Sequence, residues 1–114
     1  MDSGKRPLKV VYADAAWLEL RDIWSWNARK NGRDHASAYV RFLEDGIAAL
    51  ATEYNRGQPE DEFPGIFRMT YQQTSRRDGH VAIYEVDESV GIVSVLHIYH
   101  TKQDIESRLR ESHS

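Results

Sequence analysis

The chain contains no cysteine. Disulfides and thiolate metal sites are therefore excluded, and a reducing compartment suits it. No apolar run approaches the ~18 residues that a membrane span needs. Lys5 and Arg6 stand near the start, but no apolar stretch of signal-peptide length follows them. These absences predict a soluble, cytoplasmic protein with no membrane partner. A basic surplus is missing too: 15 Lys and Arg stand against 18 Asp and Glu, for a formal net charge of −3. Phosphate neutralisation supplies most of the affinity of nucleic-acid binders, so this balance counts against a tight polyanion binder. There is no internal repeat and no low-complexity segment. The histidines His35, His80, His97 and His100 lack the spacing of a metal site, so neither metal nor cofactor is expected.

What remains is an ordinary globular chain. Its 114 residues allow one domain and not two. A hydrophobic fraction of 40% is enough for a core without staples. The domain is expected over residues 8–109, with 1–7 as a loose leader and 110–114 as a frayed tail.

The pattern of apolar residues predicts the elements. Leu8 to Tyr12 reads as a strand, rich in β-branched and aromatic residues. Asp14 is placed as the N-cap of a first helix, whose stripe runs through Ala16, Trp17, Leu20, Ile23, Trp24 and Asn27. Asn31-Gly32 ends it. Asp34 is placed as the N-cap of a second helix, with Ala36, Tyr39, Val40, Leu43, Ile47, Leu50, Ala51 and Tyr54 on one side. So short a connection implies an antiparallel hairpin.

Asn55 to Pro64 is a polar loop. The period then changes to two. Ile66 to Gln72 alternates, with Phe67, Met69 and Tyr71 on one side and Arg68 and Thr70 on the other. Ser75 to Gly79 and Asp87 to Gly91 are turns, Val81 to Val86 is a strand, and Ile92 to Tyr99 is a strand apolar on both faces, hence central. Thr101 to Leu109 closes the chain as a short helix. The expected fold is α+β: an N-terminal strand, a two-helix hairpin packed on an antiparallel meander, and a C-terminal helix.

Several stretches carry a resemblance. They are Ala13-Asp14-Ala15-Ala16 leading to Leu20 and Ile23, Gly32 followed by Ala36, Tyr39 and Val40, and Phe67-Arg68-Met69 at the entry to the sheet. The run from Val95 to Asp104 adds a final strand closed by His100 with Asp104 nearby. In order, spacing and this last motif the chain resembles the ParE/RelE toxins of type II toxin–antitoxin systems, over roughly Lys9 to Leu109. The ParE branch is favoured.

The resemblance implies a toxin that binds DNA gyrase and is neutralised by a cognate antitoxin. Its alternative is a RelE-type endoribonuclease acting on ribosome-bound mRNA. A third reading is a protein-interaction domain without toxicity. Target contacts are expected from Arg68, His97, His100 and Lys102. ParE toxins often carry arginine where His97 stands and near Lys102, so this chain is less basic there. RNA cleavage without a metal needs a base, an acid and cations at one phosphate. Arg68, His97, Tyr99 and His100 are the candidates, but the family's lysine pair is missing, and ordinary sheet packing explains the same residues. Antitoxin contacts are expected from Trp17 and Trp26, large apolar groups at the hairpin's edge, and from Arg76 and Arg77 in a turn.

Overall fold

The computed structural model describes residues 6–73 and 78–113. Ten elements follow in order: β1 (Lys9–Tyr12), α1 (Asp14–Asn31), α2 (Arg33–Ala48), α3 (Leu50–Glu53), a 3-10 turn (Tyr54–Arg56), β2 (Gln58–Pro59), β3 (Ile66–Tyr71), β4 (His80–Asp87), β5 (Ile92–His100) and α4 (Ile105–His113). The strands form one sheet in the order β1-β5-β4-β3-β2. β3, β4 and β5 make the expected antiparallel meander. β1 joins its far side in parallel to β5, which leaves β5 central, as its two apolar faces require.

The hairpin α1–α2 covers one face of this sheet. Ala16, Leu20, Leu43 and Ile47, joined by Leu50 of α3, meet Ala82, Tyr84, Val93, Val95 and Ile98 there. Fully buried Tyr84 keeps its hydroxyl satisfied by donating to the Tyr54 carbonyl at 2.8 Å. The opposite face carries a second, smaller core. Ile105 and Leu109 of α4 cover Ile66, Val81, Ile83 and Tyr99.

Several boundaries depart from the sequence reading. Ala13, not Asp14, is the N-cap of α1, and Gly32, not Asp34, is that of α2. Both aspartates lie in the first turn instead, where a carboxylate still complements the helix dipole. Gly32 ends one helix and starts the next at φ 91°, a conformation that L side chains rarely adopt. The second helical stripe is not one helix. It tightens at Ala49, whose N–H reaches both the Asp45 and Ile47 carbonyls, and continues as α3 and the 3-10 turn.

The expected polar loop contains a two-residue edge strand, with Gln58 opposite Arg68 and Pro59 opposite Phe67. Pro59 is tolerated because it sits at the sheet's edge. The closing helix starts later and runs further than expected. The Asp104 carboxylate accepts the Ser107 N–H at 3.2 Å, an N-cap contact, and the helix takes in residues 110–113, which were assigned to a tail. Part of the turn over 75–79 lies outside the described residues.

The sheet holds one irregularity that matters for the site. Ile83 pairs with His97 and Tyr84 with Val95, so Leu96 is an extra residue in β5. This bulge resets the alternation. Val93 and Val95 face the hairpin, and after the bulge Ile98 and His100 do so. His97 and Tyr99 are left on the α4 side.

Candidate functional site

A groove of about 960 Å³ opens where the outer half of β5 leaves β1 behind. β1 stops at Tyr12, opposite Val95, because the chain turns into α1; Ala13 donates the last bond of that ladder, to the Val95 carbonyl at 2.8 Å. Beyond Val95 no strand among the described residues lies beside this edge of β5. One wall of the groove is α1, through Glu19, Asp22, Trp26 and Lys30; the floor comes from Ile98 and His100.

The N–H groups on that edge are occupied by side chains. Glu19 accepts the Ile98 N–H at 2.8 Å, and Gln103 accepts the His100 N–H at 2.7 Å. The other carboxylate oxygen of Glu19 lies 3.1 Å from Nδ1 of His97. His97 is thereby held between α1 and α4, since its Nε2 lies 3.2 Å from the Ser112 hydroxyl.

At the groove's inner end Tyr39, His80 and His100 form a cluster. The Tyr39 hydroxyl meets Nδ1 of His80 at 2.6 Å, and the two imidazoles meet edge to face at 5.2 Å. Burial, then the neighbouring His100, lowers His80 to about 4, so its ring is neutral. Burial raises the Tyr39 phenol to about 12. The Lys102 N–H donates to Nδ1 of His100 at 3.0 Å, which leaves Nε2 of that ring to carry the proton. Among the described residues, the acidic side chains of the groove are Glu19, Asp22 and Asp78, and the Lys or Arg side chain is Lys30.

The residues singled out from sequence fall into separate places. His100 and Trp26 line this groove together. Trp26 is 53% exposed, with the Lys30 ammonium 5.5 Å from its ring centre. Lys102 lies beside the groove and pairs with Asp78 at 3.2 Å. Trp17 is equally exposed but sits elsewhere, stacked on Tyr12 at 4.6 Å. Trp24, expected in the core, is half-buried in the hairpin seam and donates to Ser37 at 3.1 Å. Arg76 and Arg77 lie outside the described residues.

Arg68, His97 and Tyr99 face α4. Arg68 and His97 share one row across the sheet with Ile83 between them, two strand spacings or roughly 10 Å apart. His97 stacks on Tyr99 at 4.8 Å. Arg68 is bound by the buried carboxylate of Glu60, which holds the guanidinium's pKa above its ordinary value. Among the described residues no group of three or more His, Asp or Glu side chains is placed to hold a metal ion, and no helix is long and apolar enough to cross a membrane.

Glu19, Gln103, Tyr39 and His80 were not read as site residues. Tyr39 looked like plain core, and Glu19 stands in sequence beside the core residue Leu20 with nothing to mark its reach to β5.

The fold is that of the ParE and RelE toxins. It superposes on the chromosomal ParDE toxin–antitoxin system of P. aeruginosa with a TM-score of 0.72 at 17% identity, covering 86% of this chain and all (100%) of that one. A variant of E. coli RelE in the free state gives 0.65 at 11% identity, over 93% of this chain and 97% of that one. Identity this low speaks for the fold alone. Sequence carries it further. The family model for the ParE toxin of the type II toxin–antitoxin system parDE matches residues 10–105. Toxin ParE1 of Caulobacter vibrioides is 32% identical over 82 residues, 72% of this chain and 80% of that protein. The chain belongs to the ParE toxin family of type II toxin–antitoxin systems.

Proposed function

We propose that this toxin acts in the cytoplasm by binding DNA gyrase, without cutting a covalent bond itself, and that a cognate antitoxin neutralises it. One observation carries the choice of binding over catalysis: the groups that metal-independent RNA cleavage would need are not gathered at one point. Arg68 is committed to Glu60, His97 lies about 10 Å away along its row, and His100 is on the opposite face. A phosphate placed at His97 meets Tyr99, stacked on it at 4.8 Å, but no free cation from this set, and one placed at His100 meets neither. Binding a target protein asks only for a complementary surface. His100 with Lys102 beside the groove, and Arg68 and His97 on the α4 side, are the target contacts in this reading. The antitoxin is a helical, partly disordered chain that orders on the toxin.

The test runs two assays side by side on the purified chain. Inhibited supercoiling by gyrase with intact mRNA on programmed ribosomes is the expected result. Normal supercoiling with cut mRNA would overturn it in favour of the RelE-type reading. Inactivity of correctly folded protein in both would leave an interaction domain. Co-purification with the product of the neighbouring gene tests the antitoxin; separate elution at micromolar concentration would refute it.

A further inference from the structure

Three side chains from three elements meet in one line: Glu19 on α1, His97 on β5 and Ser112 on α4. One oxygen of the Glu19 carboxylate accepts the Ile98 N–H at 2.8 Å, which fixes the carboxylate beside the strand. Its other oxygen lies 3.1 Å from Nδ1 of His97, and Nε2 of the same ring lies 3.2 Å from the Ser112 hydroxyl. A carboxylate only accepts hydrogen bonds, so Nδ1 carries the proton in this contact. In the neutral ring Nε2 is then an acceptor, aimed at a hydroxyl. This is the order of groups that activates a serine: a nucleophile, a base, and an anion that orients the base. The Ser112 hydroxyl also reaches the Arg108 carbonyl at 3.1 Å. Its single proton serves one acceptor at a time, and rotation about the Cβ–Oγ bond hands it to His97. Tyr99, stacked on His97, stands beside the same hydroxyl. Burial raises the Tyr99 phenol, while a hydrogen bond from Ser112 and the charge of Arg108 oppose that rise. A phenol O–H and a guanidinium are groups that stabilise a developing oxyanion.

We propose that Ser112, His97 and Glu19 form an acyl-transfer site that hydrolyses small carboxylic esters, an activity separate from any action on gyrase. Oγ of Ser112 attacks the ester carbonyl carbon while its proton passes to Nε2 of His97. The oxygen of the tetrahedral intermediate takes the Tyr99 O–H and faces the Arg108 charge. The C–O bond to the alcohol then breaks, the alcohol leaves with the proton from His97, and Ser112 is left acylated. A water molecule repeats the attack with His97 as its base, which releases the carboxylic acid and restores the serine hydroxyl. Glu19 touches no reacting atom; it is a positioning residue that holds the His97 tautomer. Ser112 is exposed, so the ester reaches it from solvent, and a short acyl group on a good leaving group is the class it suits.

The test treats the purified full chain with a fluorophosphonate, which joins phosphorus to an activated serine oxygen and loses fluoride, and separately with p-nitrophenyl acetate. The expected result is one adduct, mapped to Ser112 by peptide mass, and ester cleavage that falls at least about 100-fold in Ser112→Ala and in His97→Asn. Glu19→Gln should lower kcat at least about tenfold with KM unchanged, because it disturbs the base and not the binding of the ester. Circular dichroism checks that each variant is folded. The native chain alone is enough to sink the idea: no adduct, or an adduct at another residue, overturns it. Labelling of Ser112 that keeps its native rate in folded His97→Asn overturns it too. Ester cleavage that persists in Ser112→Ala is catalysis by free imidazole and overturns the serine's role, and an unchanged kcat in Glu19→Gln overturns that of Glu19.

Discussion

Tyr39 and His80 meet at 2.6 Å, and this contact ties the second helix of the hairpin to the first residue of β4. Both groups are neutral near pH 7, the imidazole because burial and His100 lower it to about 4 and the phenol because burial raises it to about 12. The phenol proton can therefore be donated to an unprotonated Nδ1. A charged His80 would lose that acceptor and sit half-buried beside a second histidine.

A pH dependence follows from this pair. The unfolded chain protonates His80 near its ordinary value of 6.5, the folded one only near 4. Between these limits the unfolded state holds more protons, so the stability from this group is complete above pH 6.5 and is lost as pH falls through 4. The loss is on the order of 3 kcal/mol. Urea midpoints of the native chain and of His80→Phe should diverge over that window, the native chain falling more steeply. The carboxylates titrate in both and cancel. Parallel curves would show that His80 titrates normally.

Arg68 separates two roles cleanly. If its guanidinium chiefly serves the buried Glu60 carboxylate, Arg68→Ala leaves a buried charge without its partner. Breaking such a pair costs about 3–5 kcal/mol when fully buried, and about 2–3 here because Arg68 is partly exposed. The expected outcome is a lowered unfolding midpoint in the isolated toxin. An unchanged midpoint with lost gyrase inhibition would show that Arg68 serves as a target contact alone and that its pair with Glu60 does not support the fold.

Leu43 has no exposed surface and sits where α2 meets the sheet. Leu43→Ala should cost ~2–5 kcal/mol through lost burial and the cavity left behind. That is a large share of a small domain's stability. A denaturation midpoint equal to that of the native chain would contradict this packing.

Gly79 precedes β4 and donates its N–H to the Thr101 hydroxyl at 3.1 Å. A Cβ added there would fall inside contact distance of the Tyr71 carbonyl, which is backbone of the neighbouring strand and cannot swing aside. Gly79→Ala should destabilise by roughly 1–3 kcal/mol, the usual range for forced overpacking. Equal thermal midpoints would mean that the strand end yields.

The sequence by itself determined the elements and their layers. Period 3.6 in the stripe through Leu43 and Ile47, and period two in Phe67, Met69 and Tyr71, each marked the face that the core later covered, because burial selects apolar side chains at the element's own repeat. The same pattern, with the ending at His100 and Asp104, was enough to reach the family. Only the tertiary structure decided the site. Val93 to Tyr99 is apolar on both faces, so its alternation carries no phase and could not reveal the bulge at Leu96 that turns His100 toward the hairpin and His97 toward α4. The partners of the charged groups were equally hidden. Glu19 reaches a strand 78 residues further along the chain, and Arg68 is held by the one buried carboxylate in an acidic run of three. Such pairings depend on where the folded backbone brings distant side chains, and local periodicity contains no record of that.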